Sequence, residues 1–203
     1  MSNAAWQPQS ALKGVQATDT VRQTGGIKSV TLVEMPAKPA RLVIARKAAA
    51  AETATRAASA LGFALPTSPA RTAASGVEAV WSGSAQWLVM SDTDDKLVAL
   101  AAAVSGVASC SEQTDARVIL RLAGPGARRT LMKVIGIDVH DTAFPVGAAA
   151  MTPVAHIAAH LWRLPDADGA PVYEIAAPRS SIGSLWHALV AAGSELGLDA
   201  RPN

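Results

Sequence analysis

His156 and His160 are the pair whose type and spacing most resemble a metal site. On a helix, residues four apart would share a face. Residues 150–162 read instead as strand, where that spacing spans about 13 Å of backbone and separates the imidazoles. No glutamate follows His156 in an HExxH pattern and no third ligand stands nearby, so both read as structural or surface histidines. Serines are plentiful, yet no GxSxG elbow occurs to set one beside a base. Gly124-Pro125-Gly126-Ala127-Arg128-Arg129 follows a strand and opens a helix, a place where N–H groups and two arginines would meet an anion. It lacks both the Lys-Ser/Thr ending of a phosphate loop and the third glycine of a dinucleotide fingerprint, and it reads as a tight turn.

The remaining candidates are weaker. Asp166-Ala167-Asp168-Gly169 lacks the further oxygen ligands of a calcium loop and reads as a connecting turn. Cys110 is the only cysteine, which excludes an internal disulfide, a thiolate zinc cluster and a CxxC pair. Arg121, Arg163 and Arg179 fall at or near expected strand ends, where guanidinium groups meet solvent, a partner's carboxylates or an anionic ligand. Trp81, Trp87, Trp162 and Trp186 read as core. No residue is assigned a catalytic, cofactor-binding or metal-binding role.

The elements that would position these residues are legible from pattern. Leu42-Val43-Ile44 is a short apolar run, followed by an Ala-rich helical stretch that stops at Gly62. Residues 66–76 carry turn residues and read as loop. Residues 81–90 form a hairpin about Ser82-Gly83-Ser84, and Ser91 and Asp92 offer N-cap oxygens to a helix with Leu97, Leu100 and Val104 on its buried stripe. Val118, Leu120 and Leu122 alternate with Ile119 and Arg121 in a half-buried strand, and residues 127–135 should be helical. Two or three strands cover 150–162 and 172–176. A helix then buries Ile182, Leu185, Trp186, Leu189, Val190 and Leu196.

The first forty residues are polar apart from Val30-Thr31-Leu32-Val33, which suits an edge strand, and they read as an extended or flexible arm. Residues 41–198 then make one duplicated domain with pseudo-repeats at about 41–106 and 117–197. Trp87 is followed by Leu97, Leu100 and Val104 at the offsets that separate Val172 from Ile182, Leu185 and Leu189. The expected class is α+β: duplicated strand-helix-strand-strand-helix units with antiparallel sheets and helices packed on one side.

Composition narrows the partners. The chain has 203 residues and a net charge of +2, with no basic cluster, so nucleic acid is not expected. Its start lacks the order of a signal peptide and no apolar run reaches membrane length, so a soluble, cytoplasmic protein with no membrane association is expected. Only 17% of residues are charged. That is low against about 25% for ordinary domains, and it reflects either alanine enrichment or surface covered by other chains.

Several passages together resemble the gamma subunit of heterotetrameric sarcosine oxidase. They are Ser10-Ala11-Leu12-Lys13-Gly14, Val30 to Pro36, Trp81-Ser82-Gly83 with Trp87-Leu88-Val89, Arg121 to Arg128, Asp138-Val139-His140 with Phe144-Pro145, and Tyr173-Glu174-Ile175 through Pro178-Arg179-Ser180 to Leu185-Trp186. Their order covers most of the chain. Gln86 departs from the family pattern, where an acidic residue precedes the tryptophan, and so does Asp141, where a proline often follows the histidine.

The resemblance implies a fold like the folate-binding domain of glycine-cleavage aminomethyltransferase. It implies a flavin-dependent complex that demethylates sarcosine oxidatively to glycine and passes the one-carbon unit to tetrahydrofolate. The partners implied are alpha, beta and delta subunits. FAD, FMN, NAD and folate sites belong to the alpha and beta subunits and zinc to delta, so this chain alone is expected to bind none of them and to be inactive, serving assembly and stabilisation. The alternative is a stand-alone folate-binding or aminomethyltransferase-like protein. The interface is expected on the arm and on the outer face of residues 182–196, with Arg121, Arg179, His187, Ala191 and Glu195 as candidate contacts.

Overall fold

The computed structural model describes residues 9–14 and 29–202. Most of the expected arm, residues 1–8 and 15–28, lies outside the described residues. The chain runs through β1 (Val30–Glu34), β2 (Ala40–Ala45), α1 (Ala50–Leu61), β3 (Arg71–Ala74), β4 (Val77–Gly83), β5 (Gln86–Ser91), α2 (Asp94–Ala103) and β6 (Ala108–Glu112). It continues through β7 (Arg117–Ala123), α3 (Ala127–Met132), β8 (Ala149–Val154), β9 (Ile157–Ala167), β10 (Ala170–Pro178), α4 (Ile182–Gly193) and β11 (Leu198–Arg201).

These strands form two sheets, ordered β3-β4-β5-β2-β6 and β11-β1-β7-β10-β9-β8. The duplication is visible in that order. β3-β4-β5-β2 corresponds to β8-β9-β10-β7, and β1 holds beside β7 the place that β6 holds beside β2. The architecture is α+β, as expected. One pairing differs from the antiparallel rule, because β1 and β11 run parallel.

Alternation along each strand sends one set of side chains to helices and the other to the opposite sheet. In the first unit, Val43, Ala79, Trp87 and Val89 pack with Ala57 and Leu61 of α1 and Leu97 and Leu100 of α2. In the second, Leu120, Leu122, Tyr173 and Ile175 pack with Leu131 of α3 and with Ile182, Leu185, Trp186 and Leu189 of α4. The opposite faces meet each other: Val80, Leu88 and Met90 of one sheet join Ala149, Trp162 and Ala176 of the other. The layers therefore run helix, sheet, sheet, helix.

Several local expectations hold for stated reasons. α1 ends at Gly62, whose φ of 79° is left-handed, and whose N–H donates to the Ala58 carbonyl at 2.9 Å. Leu97, Leu100 and Val104 are fully buried. Others are corrected. The helix cap before α2 is Thr93, with no side-chain capping bond, rather than Ser91 or Asp92. α3 ends at Met132, three residues short of the expected end. β3 lies in the segment read as loop: its Arg-Thr-Ala-Ala carries no apolar alternation, and its pairing with β4 is set by a turn at Ser75 and Gly76, both at positive φ.

The largest correction concerns the arm. β1 is interior, flanked by β7 and β11, so residues 30–34 belong to the folded body. Residues 9–14 also dock on it. Leu12 is 1% exposed within the second unit's core, and Glu34 accepts hydrogen bonds from the Ser10 hydroxyl and from the Ala11 N–H at 3.1 Å. Among the described residues, no helix is long and apolar enough to cross a membrane.

Candidate functional site

On β7, Val118, Leu120 and Leu122 pack toward the helices, which leaves Arg117, Ile119 and Arg121 on the face turned to the other sheet. Arg121 sits in mid-strand rather than near an end. Its Nε and Nη2 donate to Glu174 Oε1 at 3.0 and 2.7 Å, and Trp162 Nε1 donates to Oε2 at 2.9 Å. The three are cross-strand neighbours on β7, β10 and β9. Both carboxylate oxygens are thus used, which is what a buried glutamate requires.

His160 lies on the same inner face and is 1% exposed. Its Nε2 and the Ser82 hydroxyl of β4 are 2.7 Å apart, a polar contact between the two sheets. Its Nδ1 is buried with no hydrogen-bond partner among the described residues. Burial, and then the charge of Arg117, push the imidazole down to about 4, so it is neutral at pH 7.

Beside Arg117 the sheets part around a pocket of about 140 Å³. Leu88 and Met90 of β5 form one wall, and Ile119 with the β1–β2 connection at Met35 forms another. Arg117 and Arg179 both line it. They come from adjacent strand ends: Arg117 is opposite Pro178 in the β7–β10 register, and the Arg179 N–H donates to the Ala116 carbonyl at 2.9 Å. Arg117 Nε donates to Gln113 Oε1 at 3.4 Å, and Arg179 Nη2 donates to the Gln9 carbonyl. Neither meets a carboxylate among the described residues. A second, shallower depression holds Lys38, Arg71, Glu78 and Asp92, whose charges satisfy one another: Lys38 to Asp92 at 3.0 Å and Arg71 to Glu78 at 2.8 Å.

The five expected interface residues fall in two places. Arg121 and Arg179 face the space between the sheets, whereas His187, Ala191 and Glu195 are exposed on α4 and the turn after it. Glu195 is engaged within the chain, 2.9 Å from Lys133 Nζ and 3.8 Å from Arg129 Nη2, and Lys133 holds its carboxyl below the usual range.

The other candidates resolve into structural roles. A turn at Ala155 and His156, both at positive φ, reverses the chain between β8 and β9, which leaves His156 exposed and His160 buried. Gly124-Pro125-Gly126 receives the strand entering β1. The Gly126 N–H donates to the Ser29 carbonyl at 2.9 Å, and a Cβ on Gly124 would stand 2.4 Å from that oxygen. Arg128 and Arg163 converge on Asp141, the residue that departs from the family pattern, and Arg163 foremost holds its carboxyl below the usual range. Arg163 is also in mid-strand, with Asp166 at 2.8 Å and the Tyr173 ring centroid at 5.8 Å. Burial pushes the Cys110 thiol up, away from nucleophilic use. Among the described residues no group of three or more potential metal ligands converges. Arg117 and Glu174 were the residues pattern reading missed, although Arg117 shares the alternation of Ile119 and Arg121.

Among solved structures, the chain is similar to heterotetrameric sarcosine oxidase from Corynebacterium sp. U-96 in complex with pyrrole 2-carboxylate. The match has 24% identity and a TM-score of 0.80, and it covers 94% of this chain and 96% of that one. It is also similar to glycine cleavage system aminomethyltransferase T from Bartonella henselae, at 15% identity and a TM-score of 0.60. That match covers 95% of this chain and 51% of the transferase chain, so the chain spans about half the transferase's length. Both share its fold, which is the fold the resemblance implied. No curated protein matches the chain. The model of the GCVT N-terminal domain matches residues 79–201, more than half of the chain, and the chain belongs to that family.

Proposed function

We propose that this chain is a gamma-type, non-catalytic subunit of a heterotetrameric, flavin-dependent sarcosine-oxidising complex, where it serves assembly and stabilisation. The observation that carries the reading is end-to-end correspondence: 94% of this chain superposes on 96% of a chain from a heterotetrameric sarcosine oxidase. The transferase match leaves half of its partner uncovered. The inner-face network supports a scaffold role, because Glu174 and its donors Arg121 and Trp162 are committed to one another. Alpha, beta and delta chains would be the partners, in the cytoplasm. FAD, FMN, NAD and tetrahydrofolate would be held by the other chains.

Co-expression of the chain with candidate alpha, beta and delta chains, followed by size exclusion, tests this. The expected result is co-elution of all four; elution of this chain at its own mass would overturn it. A second reading, a stand-alone folate-binding protein, draws on the family match over residues 79–201. Tetrahydrofolate binding by the chain alone at micromolar concentration would favour it.

A further inference from the structure

We propose that the pocket between the sheets binds a small carboxylic acid, with Arg117 and Arg179 taking the carboxylate. Most half-buried or buried arginines of the body meet acidic partners: Arg121 meets Glu174, Arg71 meets Glu78, Arg41 meets Asp94, and Arg163 meets Asp141 and Asp166. The two that line the pocket meet none among the described residues. Arg117 has one long bond to an amide oxygen and Arg179 one bond to a backbone carbonyl. Guanidinium groups present a planar fork that suits a carboxylate, and a partly buried pair with no carboxylate bonded to it among the described residues gains most from one.

The other polar groups on the wall are already occupied. Thr114 Oγ1 accepts the Ala40 N–H at 3.0 Å and donates to Glu112, and Gln113 Nε2 donates to the Glu112 carbonyl at 2.9 Å. Glu34 is held by Ser10 and Ala11. Lys38, also on the wall, is engaged by Asp92 at 3.0 Å. Arg117 and Arg179 outweigh the one negative charge that Glu34 brings to the lining, which leaves net positive charge beside an apolar wall of Met35, Leu88, Met90 and Ile119.

Size fixes the class. A cavity of about 150 Å³ accommodates benzene, and this one is about 140 Å³. The part of a ligand that the pocket encloses is therefore a carboxylate on a body of about one ring or a short branched chain, and an entire folate does not fit inside it. Every lining residue named belongs to this chain, so the chain alone suffices for the test.

The test is calorimetry on the full chain with benzoate, and with benzamide as its uncharged counterpart. Benzoate should bind one to one and benzamide should not. Arg117→Gln and Arg179→Gln should each weaken benzoate by about tenfold or more, the loss of a charge-assisted hydrogen bond. Arg179→Lys, which keeps the charge and loses the fork, should fall between parent and Arg179→Gln. It also serves if Arg117→Gln fails to fold. Inorganic phosphate is titrated in parallel: tighter binding than benzoate would replace the carboxylate with an inorganic anion and overturn the proposal. Equal binding of benzoate and benzamide, no binding of benzoate, or unchanged affinity in the folded arginine variants would each overturn it too.

Discussion

Arg121 and Glu174 face each other across β7 and β10, with two guanidinium nitrogens on one carboxylate oxygen at 3.0 and 2.7 Å. Trp162 of β9 takes the second oxygen at 2.9 Å, so one buried carboxylate ties three strands on the face that meets the other sheet. Glu174→Ala strands the indole N–H and leaves Arg121 without its partner. It should lower stability by about 3 kcal/mol, whereas Glu174→Gln, which can still accept from Trp162, should cost clearly less. Urea unfolding of both variants checks this, and equal losses would contradict the network.

His160 makes stability depend on pH. Its imidazole is pushed from 6.5 to about 4 in the folded chain. Between those values the unfolded chain binds the extra proton, so stability is fully present above about pH 6.5 and falls as the pH drops toward 4. The loss approaches about 3 kcal/mol for this one group. His160→Gln, which cannot titrate, should flatten the unfolding free energy between pH 4.5 and 6.5. An acid limb as steep as the parent's would assign the dependence to other groups.

The amino-terminal segment should matter for folding, contrary to its reading as a detachable arm. Leu12 is 1% exposed and packs in the second unit's core. Leu12→Ala should cost about 2–4 kcal/mol. Gly124→Ala should also destabilise, since Gly124 has φ +112° and its added Cβ would meet the Ser29 carbonyl at 2.4 Å. Thermal unfolding midpoints within one degree of the parent for both variants would show that residues 9–14 and 29 do not hold the fold.

What was legible in sequence is what local periodicity records. The stripe of α4, the stripe of α2 and the alternation of β7 each bury one face against one neighbour, so a single chain segment reveals them. β6, with Ala-Ser-Cys-Ser-Glu, and β11, with Leu-Asp-Ala-Arg, carry little apolar pattern and are strands because β2 and β1 offer them unpaired edges. The site was harder still. Arg121 finds Glu174 53 residues away, and Ser82 finds His160 78 residues away. The first pairing depends on the β7–β10 register and the second on how the two sheets face each other, and nothing within a window of sequence encodes either.

Ala191 is exposed on α4, whose charge-poor outer face is the one the proposed subunit contact would use. Ala191→Arg should leave the isolated chain's stability within about 0.5 kcal/mol, as surface substitutions do. It should still reduce recovery of the chain with the candidate alpha, beta and delta chains, because a desolvated, unpaired charge is unfavourable in an interface. Unchanged recovery beside unchanged stability would remove α4 from the interface.

The subunit role is tested most directly by native mass spectrometry of the chain co-expressed with candidate alpha, beta and delta chains. The account predicts a single species containing one copy of each chain, with the visible absorbance of bound flavin residing in the complex and none in this chain alone. A species of this chain by itself, beside a complete and active complex formed from the other chains without it, would contradict the account.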